Sequence, residues 1–403
     1  KQTPASAIRL SLVGSEMCIR DRSLRRREGG LPHVSAAPGH KTPRLTGCGD
    51  STVREVTRVL EEQAIKRGIQ RNADSIPLTI VSDNSQIRGL VTLDVPSGRI
   101  DAIQTKAVIL ATEGHQGLWS KPSDGSGTGS ALAISAGIDL KGMEITPRHP
   151  LTIRDCGIHI PLDVLGSGGR IRRENGDDVG PEEALEGEPC VLDLRQMDAD
   201  AKVWFSQTSM RIMDRLGIDI SKDVIPLSPG IAYTTGGAPS DAQGRVVFQG
   251  HTAEGLPAEL WHTGLYAAGR SANTGVHGSN ALPGNLLLDD LVSGKAAGQN
   301  ASKWATGIRF GGNNQIEQAL KRESDRVSSI MEGDGIAVAK FYSKLTSAIS
   351  SGLSNEGSLA EVRAIKDTGI TLSDTSSVMN TEMAEALRLV GLASVAESIL
   401  TSG

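Results

Sequence analysis

With 403 residues, a hydrophobic fraction of 38% and a formal net charge of −5, the chain is long enough for two or three domains and can bury a sizeable core. So small a charge excludes an electrostatic argument for nucleic acid or an acidic membrane surface as partner. Four dispersed cysteines without a CxxC pair exclude a zinc or disulfide framework, and no apolar run reaches the roughly 18 residues needed to span a bilayer.

In chain order, the run LSLVGSEMCIRDR at 10–22 resembles a translated sequencing adapter, so 1–26 is set aside as an artefactual or disordered leader. The spacing of Val56, Leu60 and Ala64 predicts a helix from Thr52 to Gly68, opened by a capping box between Thr52 and Glu55. Alternating segments at 78–82 and 88–95, a turn at 96–99 and a third segment predict an antiparallel meander. A buried strand follows at 107–110 and ends in ATEG. Small residues at 126–137 predict a short helix, and 145–173 carries His149-Pro150 and Gly168-Gly169.

Farther along, a strand at 265–268 runs into a turn holding Gly269, Gly275, Gly278 and Gly284, where the backbone can lie against a flat ligand. A helix is predicted from Asn285 to Ala297, with Leu286, Leu287, Leu291 and Val292 on or near one face and its N-terminus aimed back at the turn. The last hundred residues read as helices at 315–331 and 336–350, and a final one with Thr381 as N-cap and Leu387, Leu389 and Leu392 buried.

The stretch GLYAAGRSANTGVHGSNALPGNLLLDDLVSGKAAG at 264–298 closely resembles the flavin-contacting segment of the succinate dehydrogenase and fumarate reductase flavoprotein subunits, which L-aspartate oxidase shares. ATEG at 111–114 resembles the family's ATGG, and SGTG at 126–129 its TGDG, with Thr128 in place of the aspartate. SVMNTEMAEALRLVGLASVAESIL at 377–400 resembles the signature of the family's C-terminal helices, and REGG at 27–30 is also family-like. The resemblance implies an α/β fold: an incomplete Rossmann-like FAD-binding domain at 27–144 and 232–305, an inserted α+β capping domain at 145–231 and a helical domain at 306–403. It implies FAD as cofactor, touched by Ala111, Thr112, Gly114, Thr128, Gly269, Arg270, Gly278, Asn285, Leu286 and Leu287. The GxGxxG that would hold the pyrophosphate is not found, since GSGTG at 125–129 is followed by Ser130, so affinity for free FAD is expected to be low.

The family's activity is hydride transfer between a substrate carbon and flavin N5, with cationic groups around a dicarboxylate. Here Pro161, Leu162, Leu165, Ala232 and Ala281 stand where the family has threonine, glutamate, arginine, histidine and arginine, and the segment bearing the proton-transfer arginine is missing. Arg270 occupies the place of a glutamate. Of the substrate-side residues only His149 keeps its position as catalytic candidate, and a lone histidine is more often structural. These readings imply an FAD-dependent oxidoreductase with a changed dicarboxylate site and a small-molecule substrate. The alternative is a non-catalytic subunit that serves as an assembly or electron-transfer platform. The resemblance further implies an iron-sulfur subunit and a membrane anchor as partners, no nucleic acid, and a cytoplasmic place at the inner face of the membrane.

Overall fold

The computed structural model describes residues 24–26, 31–119, 125–197, 199–350 and 355–401. The adapter-like run at 10–22 and the REGG run at 27–30 lie outside them. The chain divides into two compact units: Asn72–Pro147 with Ile231–Ala281 and Asn285–Gly403, and Lys1–Arg71 with Arg148–Gly230 and Leu282–Gly284.

The larger unit is built on a six-stranded sheet. Strands β1 (Ser75–Asp83), β2 (Gln86–Asp94) and β3 (Arg99–Gln104) form the expected antiparallel meander. Its second turn closes where Gly98 N–H donates to the Asp94 carbonyl at 2.8 Å. Strand β4 (Val108–Leu110) is less buried than the sequence suggests. Side chains alternate faces along a strand, and Ile109 on the outer face is 38% exposed.

Helix α1 (Thr128–Ser135) follows β4, and strands β5 (Arg245–His251) and β6 (Pro257–Ala267) complete the sheet as an antiparallel pair. β6 runs parallel to β4, pairing Ala267 with Leu110, so the ends of these two strands stand side by side. That register brings the segment after β4 next to the segment after β6, although the sequence separates them by about 150 residues.

Helix α2 (Asn285–Gly307) is longer than predicted and buries Ala297 and Ala301 instead of a leucine stripe. Leu286, Leu287 and Leu291 are only half-buried, and Val292 is 50% exposed. The small side chains of Ala297 and Ala301 let the helix approach Tyr266 and Ala268 closely.

Helices α3 (Asn314–Met331), α4 (Val338–Ser350), α5 (Asn355–Thr368) and α6 (Thr381–Thr401) complete the unit. Leu387, Leu389 and Leu392 of α6 are buried as expected. The N-cap, however, is Asn380: its Oδ1 accepts from Met383 N–H at 2.7 Å, while its amide donates to the carbonyls of Asp374 and Ser376. Thr381 already lies inside the helix. Asn380→Ala is therefore expected to destabilise the unit by about 1 to 2 kcal/mol, against a few tenths for Thr381→Ala, in urea unfolding followed by circular dichroism.

The smaller unit has its own core, including Leu151, Ile160, Leu192, Ile212 and Ile225. It surrounds a four-stranded antiparallel sheet ordered Asp178–Val179, Arg170–Arg173, Cys190–Asp193, Ile225–Leu227. The predicted N-terminal helix forms at Thr52–Lys66, but Val56 and Val59 are its buried residues, and Leu60 is 44% exposed. The capping box does not form either. Thr52 Oγ1 donates backwards to the Gly49 carbonyl at 2.7 Å and accepts from Cys48 N–H, leaving as N-cap Ser51, whose hydroxyl makes no capping bond.

Candidate functional site

Where β4 and β6 end together, polar side chains tie three segments to one another. Ser271 Oγ donates to the Thr112 carbonyl at 2.8 Å, and Thr112 Oγ1 accepts the N–H of Gly129 at 2.9 Å. A Cβ at Gly129 would lie 2.5 Å from Thr112 Oγ1 and 2.7 Å from Ser271 Oγ, so only glycine lets the start of α1 come this near. Thr128, one position earlier, has its hydroxyl 2.8 Å from Ser126 Oγ. Gly114 is buried, and a Cβ there would strike Thr234 Oγ1 at 2.4 Å, while Ala111 is exposed. Thr112 thus spends its hydroxyl on holding the frame.

The turn after β6 is seated on α2. Gly269 N–H donates to Ser293 Oγ at 2.8 Å, and a Cβ on Gly269 would meet Asp290 Oδ1 at 2.3 Å. Beside this turn lies a cleft partly open to solvent. Gly269, Arg270, Gly278 and Leu286, all singled out from the sequence, line it. Ala111, Thr112, Gly114, Thr128, Asn285 and Leu287 are not among its lining residues. Added Cβ atoms at Gly275 and Gly278 would meet nothing within 4 Å, so this wall presents bare backbone to the opening.

Among the lining residues not singled out from the sequence are Thr235, Asn273, His277 and Asp289. Asn273 donates from Nδ2 to the Thr235 carbonyl at 3.0 Å and ties that irregular segment to the turn after β6. Thr235 Oγ1 is buried and has no hydrogen-bond partner among the described residues. His277 donates from Nε2 to Asp289 Oδ2 at 3.2 Å, with both side chains mostly buried. Arg270 brings a cation to the cleft, with Nη2 4.0 Å from Asp290 Oδ2. Burial pushes the Asp290 carboxyl up against the opposing pull of Arg270. The sequence held one sign of the His277–Asp289 pair, a histidine inside the glycine-rich turn followed by carboxylates one helical turn into α2. Only the fold sets the two side chains facing.

His149 belongs to the smaller unit. Its Nε2 lies 2.7 Å from the Ile160 carbonyl, which can only accept, so Nε2 carries the proton. Burial lowers its pKa to about 4, only partly offset by that bond, and His159, edge-on at 5.7 Å, lowers it further. The imidazole is therefore neutral near pH 7 and offers an acceptor at Nδ1 where an anion would need a donor.

Comparison with known proteins places this geometry in a family. The succinate dehydrogenase flavoprotein subunit of Rickettsia bellii is 26% identical over 403 aligned positions, covering 88% of this chain and 65% of that protein. The fumarate reductase flavoprotein subunit of Escherichia coli is 25% identical, covering 94% of this chain and 69% of that protein. The chain thus spans about two thirds of the length of the curated relatives it matches. A solved E. coli quinol fumarate reductase superposes with a TM-score of 0.86 at 22% identity, covering 97% of this chain and 74% of that one, which shows the shared fold. A family model described as an FAD binding domain matches residues 20–287, and the chain belongs to that FAD binding domain family.

Proposed function

We propose that the chain is the flavin-carrying core of an FAD-dependent oxidoreductase whose substrate is not a simple dicarboxylate, with the isoalloxazine seated in the cleft beside 269–278. The observation that supports this most is the bare backbone of Gly275 and Gly278 walling a cleft that Thr235 also lines, its Oγ1 buried and without a partner among the described residues. A desolvated hydroxyl left unpaired costs about 1 to 3 kcal/mol, which a ligand's polar edge would offset. When bound, the isoalloxazine supplies a two-electron acceptor for hydride.

The chain's own residues would do the rest. Arg270 offers charge to an anionic group. Leu286, at the start of α2, places apolar surface and the positive end of a helix dipole at the cleft. The frame of Thr112, Gly129 and Ser271 sets the spacing of the strand ends behind it. Three positions that the family resemblance assigns to a dicarboxylate's partners carry no positive charge. Ala232 and Ala281 carry only methyl groups, and His149 is neutral.

Thr235→Val tests the cleft because stability and affinity should move in opposite directions. With no protein partner to lose, the variant should be as stable as the parent or about 1 kcal/mol more so. Its affinity for FAD, read from flavin fluorescence quenching, should fall about 5- to 10-fold. Unchanged affinity would remove Thr235 from the flavin's surroundings.

One observation favours a second reading, a non-catalytic subunit of the same fold. The Tyr233 hydroxyl, between the two altered positions, donates to Asn280 Oδ1 and accepts from Ala281 N–H at 3.0 Å, so it is committed within the protein. Succinate or fumarate turnover at ordinary rates would contradict both the altered site and this second reading. An iron-sulfur subunit and a membrane anchor are proposed partners, with peripheral attachment at the inner membrane face. No helix among the described residues is long and apolar enough to cross a membrane.

A further inference from the structure

We propose that His277, held by Asp289, is a redox-linked proton acceptor of the cleft: it takes up a proton at Nδ1 when the ring seated there is reduced. The inference rests on the flavin reading above and names a residue and a role within it.

The geometry is that of an oriented histidine. Nε2 is fixed by Asp289 Oδ2 at 3.2 Å, so in the neutral ring the lone pair sits on Nδ1, and both residues line the cleft. The side chains of His277 and Asp289 are only 14% and 21% exposed, which reduces solvent screening of any charge appearing beside them. The charged groups around the pair are Asp289 and Asp290 of α2 and Arg270 of the turn after β6, and Arg270 and His277 both act on Asp290. Asp289 stabilises an imidazolium, as a carboxylate does behind any general-base histidine.

The electrostatics supply the coupling. Reduced by two electrons from an external reductant with uptake of one proton, a bound isoalloxazine would bring net negative charge into the cleft. That charge would favour a second proton, from solvent, on His277 Nδ1, with Asp289 holding the opposite nitrogen of the resulting cation. Electrons end on the ring, one proton on the ring and one on the imidazole, and reoxidation returns both to solvent.

The test uses the full chain loaded with FAD and reduced anaerobically with dithionite in weakly buffered solution near neutral pH, with a pH indicator recording proton uptake. After correction for the protons released by the reductant, the parent should take up roughly one more proton per ring than His277→Gln. Asp289→Asn keeps the imidazole but weakens its cation, so uptake should fall between the two. Equal uptake by the parent and both variants overturns the proposal. So does a histidine signal of His277 in nitrogen-edited NMR that stays unchanged on flavin reduction, a readout needing no variant to fold. A folded parent that binds no FAD fails differently: the reading of the cleft falls first, and this inference with it.

Discussion

Leu389→Ala is expected to lower the unfolding free energy of the larger unit by about 3 kcal/mol. Leu389 is 0% exposed, in a core shared with Leu392 of α6, Phe341 and Leu345 of α4, and Val362 and Ile365 of α5. Removing its branched end forfeits about 2 kcal/mol of transfer energy. The surrounding helices hold the space open, so a cavity adds the remainder. Leu288→Ala, at a position 39% exposed, should cost less than about 1 kcal/mol and serves as the control. Urea unfolding monitored by circular dichroism measures both, and similar small losses would mean that α6 is not seated in this core.

His115→Leu is expected to make the larger unit more resistant to acid. His115 is fully buried, and burial lowers its pKa from the ordinary 6.5 to about 4. Between those values the unfolded chain holds a proton that the folded one refuses, so stability falls as pH drops from 6.5 towards 4. At about pH 5 this group should have cost about 2 kcal/mol.

Leucine is close in volume, and the imidazole gives up one long bond, between Nδ1 and Thr234 Oγ1 at 3.3 Å. His115 Nε2 has no partner among the described residues, and the backbone N–H keeps its 3.0 Å bond to Thr234 Oγ1. At neutral pH the variant should therefore stay within about 1 kcal/mol of the parent. Burial also depresses His149 and His262, so some acid sensitivity persists in the variant. The comparison is urea unfolding at neutral and mildly acidic pH, and an identical pH slope in parent and variant would refute the assignment.

Much of the architecture was legible along the chain. The meander showed in its period of two, α6 in the spacing of Leu387, Leu389 and Leu392, and the glycine-rich turn in its composition. Errors fell where two neighbours could do the same job. Asn380 and Thr381 both make good caps, and the choice went to Asn380 because its amide also ties down the carbonyls of Asp374 and Ser376. Thr52 was drawn into the preceding turn, and so left the helix start it was expected to cap. On α2 the leucines drew attention while Ala297 and Ala301 were buried, because close approach to β6 favours small side chains over apolar bulk.

The candidate site divides in the same way. Gly269, Arg270, Gly278 and Leu286 could be singled out because they sit in one contiguous stretch whose composition demands a special backbone. Thr235, His277 and Asp289 could not, since a hydroxyl, an imidazole and a carboxylate mean little until their surroundings are known.

By itself the sequence determined which segments become strands and helices, where the chain must turn on glycine, and that positions 232 and 281 carry methyl groups. Only the tertiary structure decided that β4 pairs with β6, that His277 meets Asp289, and that Thr235 Oγ1 is buried without a partner among the described residues. The division has a physical cause. Propensity and periodicity are local properties of the chain, whereas burial, hydrogen-bond satisfaction and the facing of charges depend on residues that only the completed fold brings together.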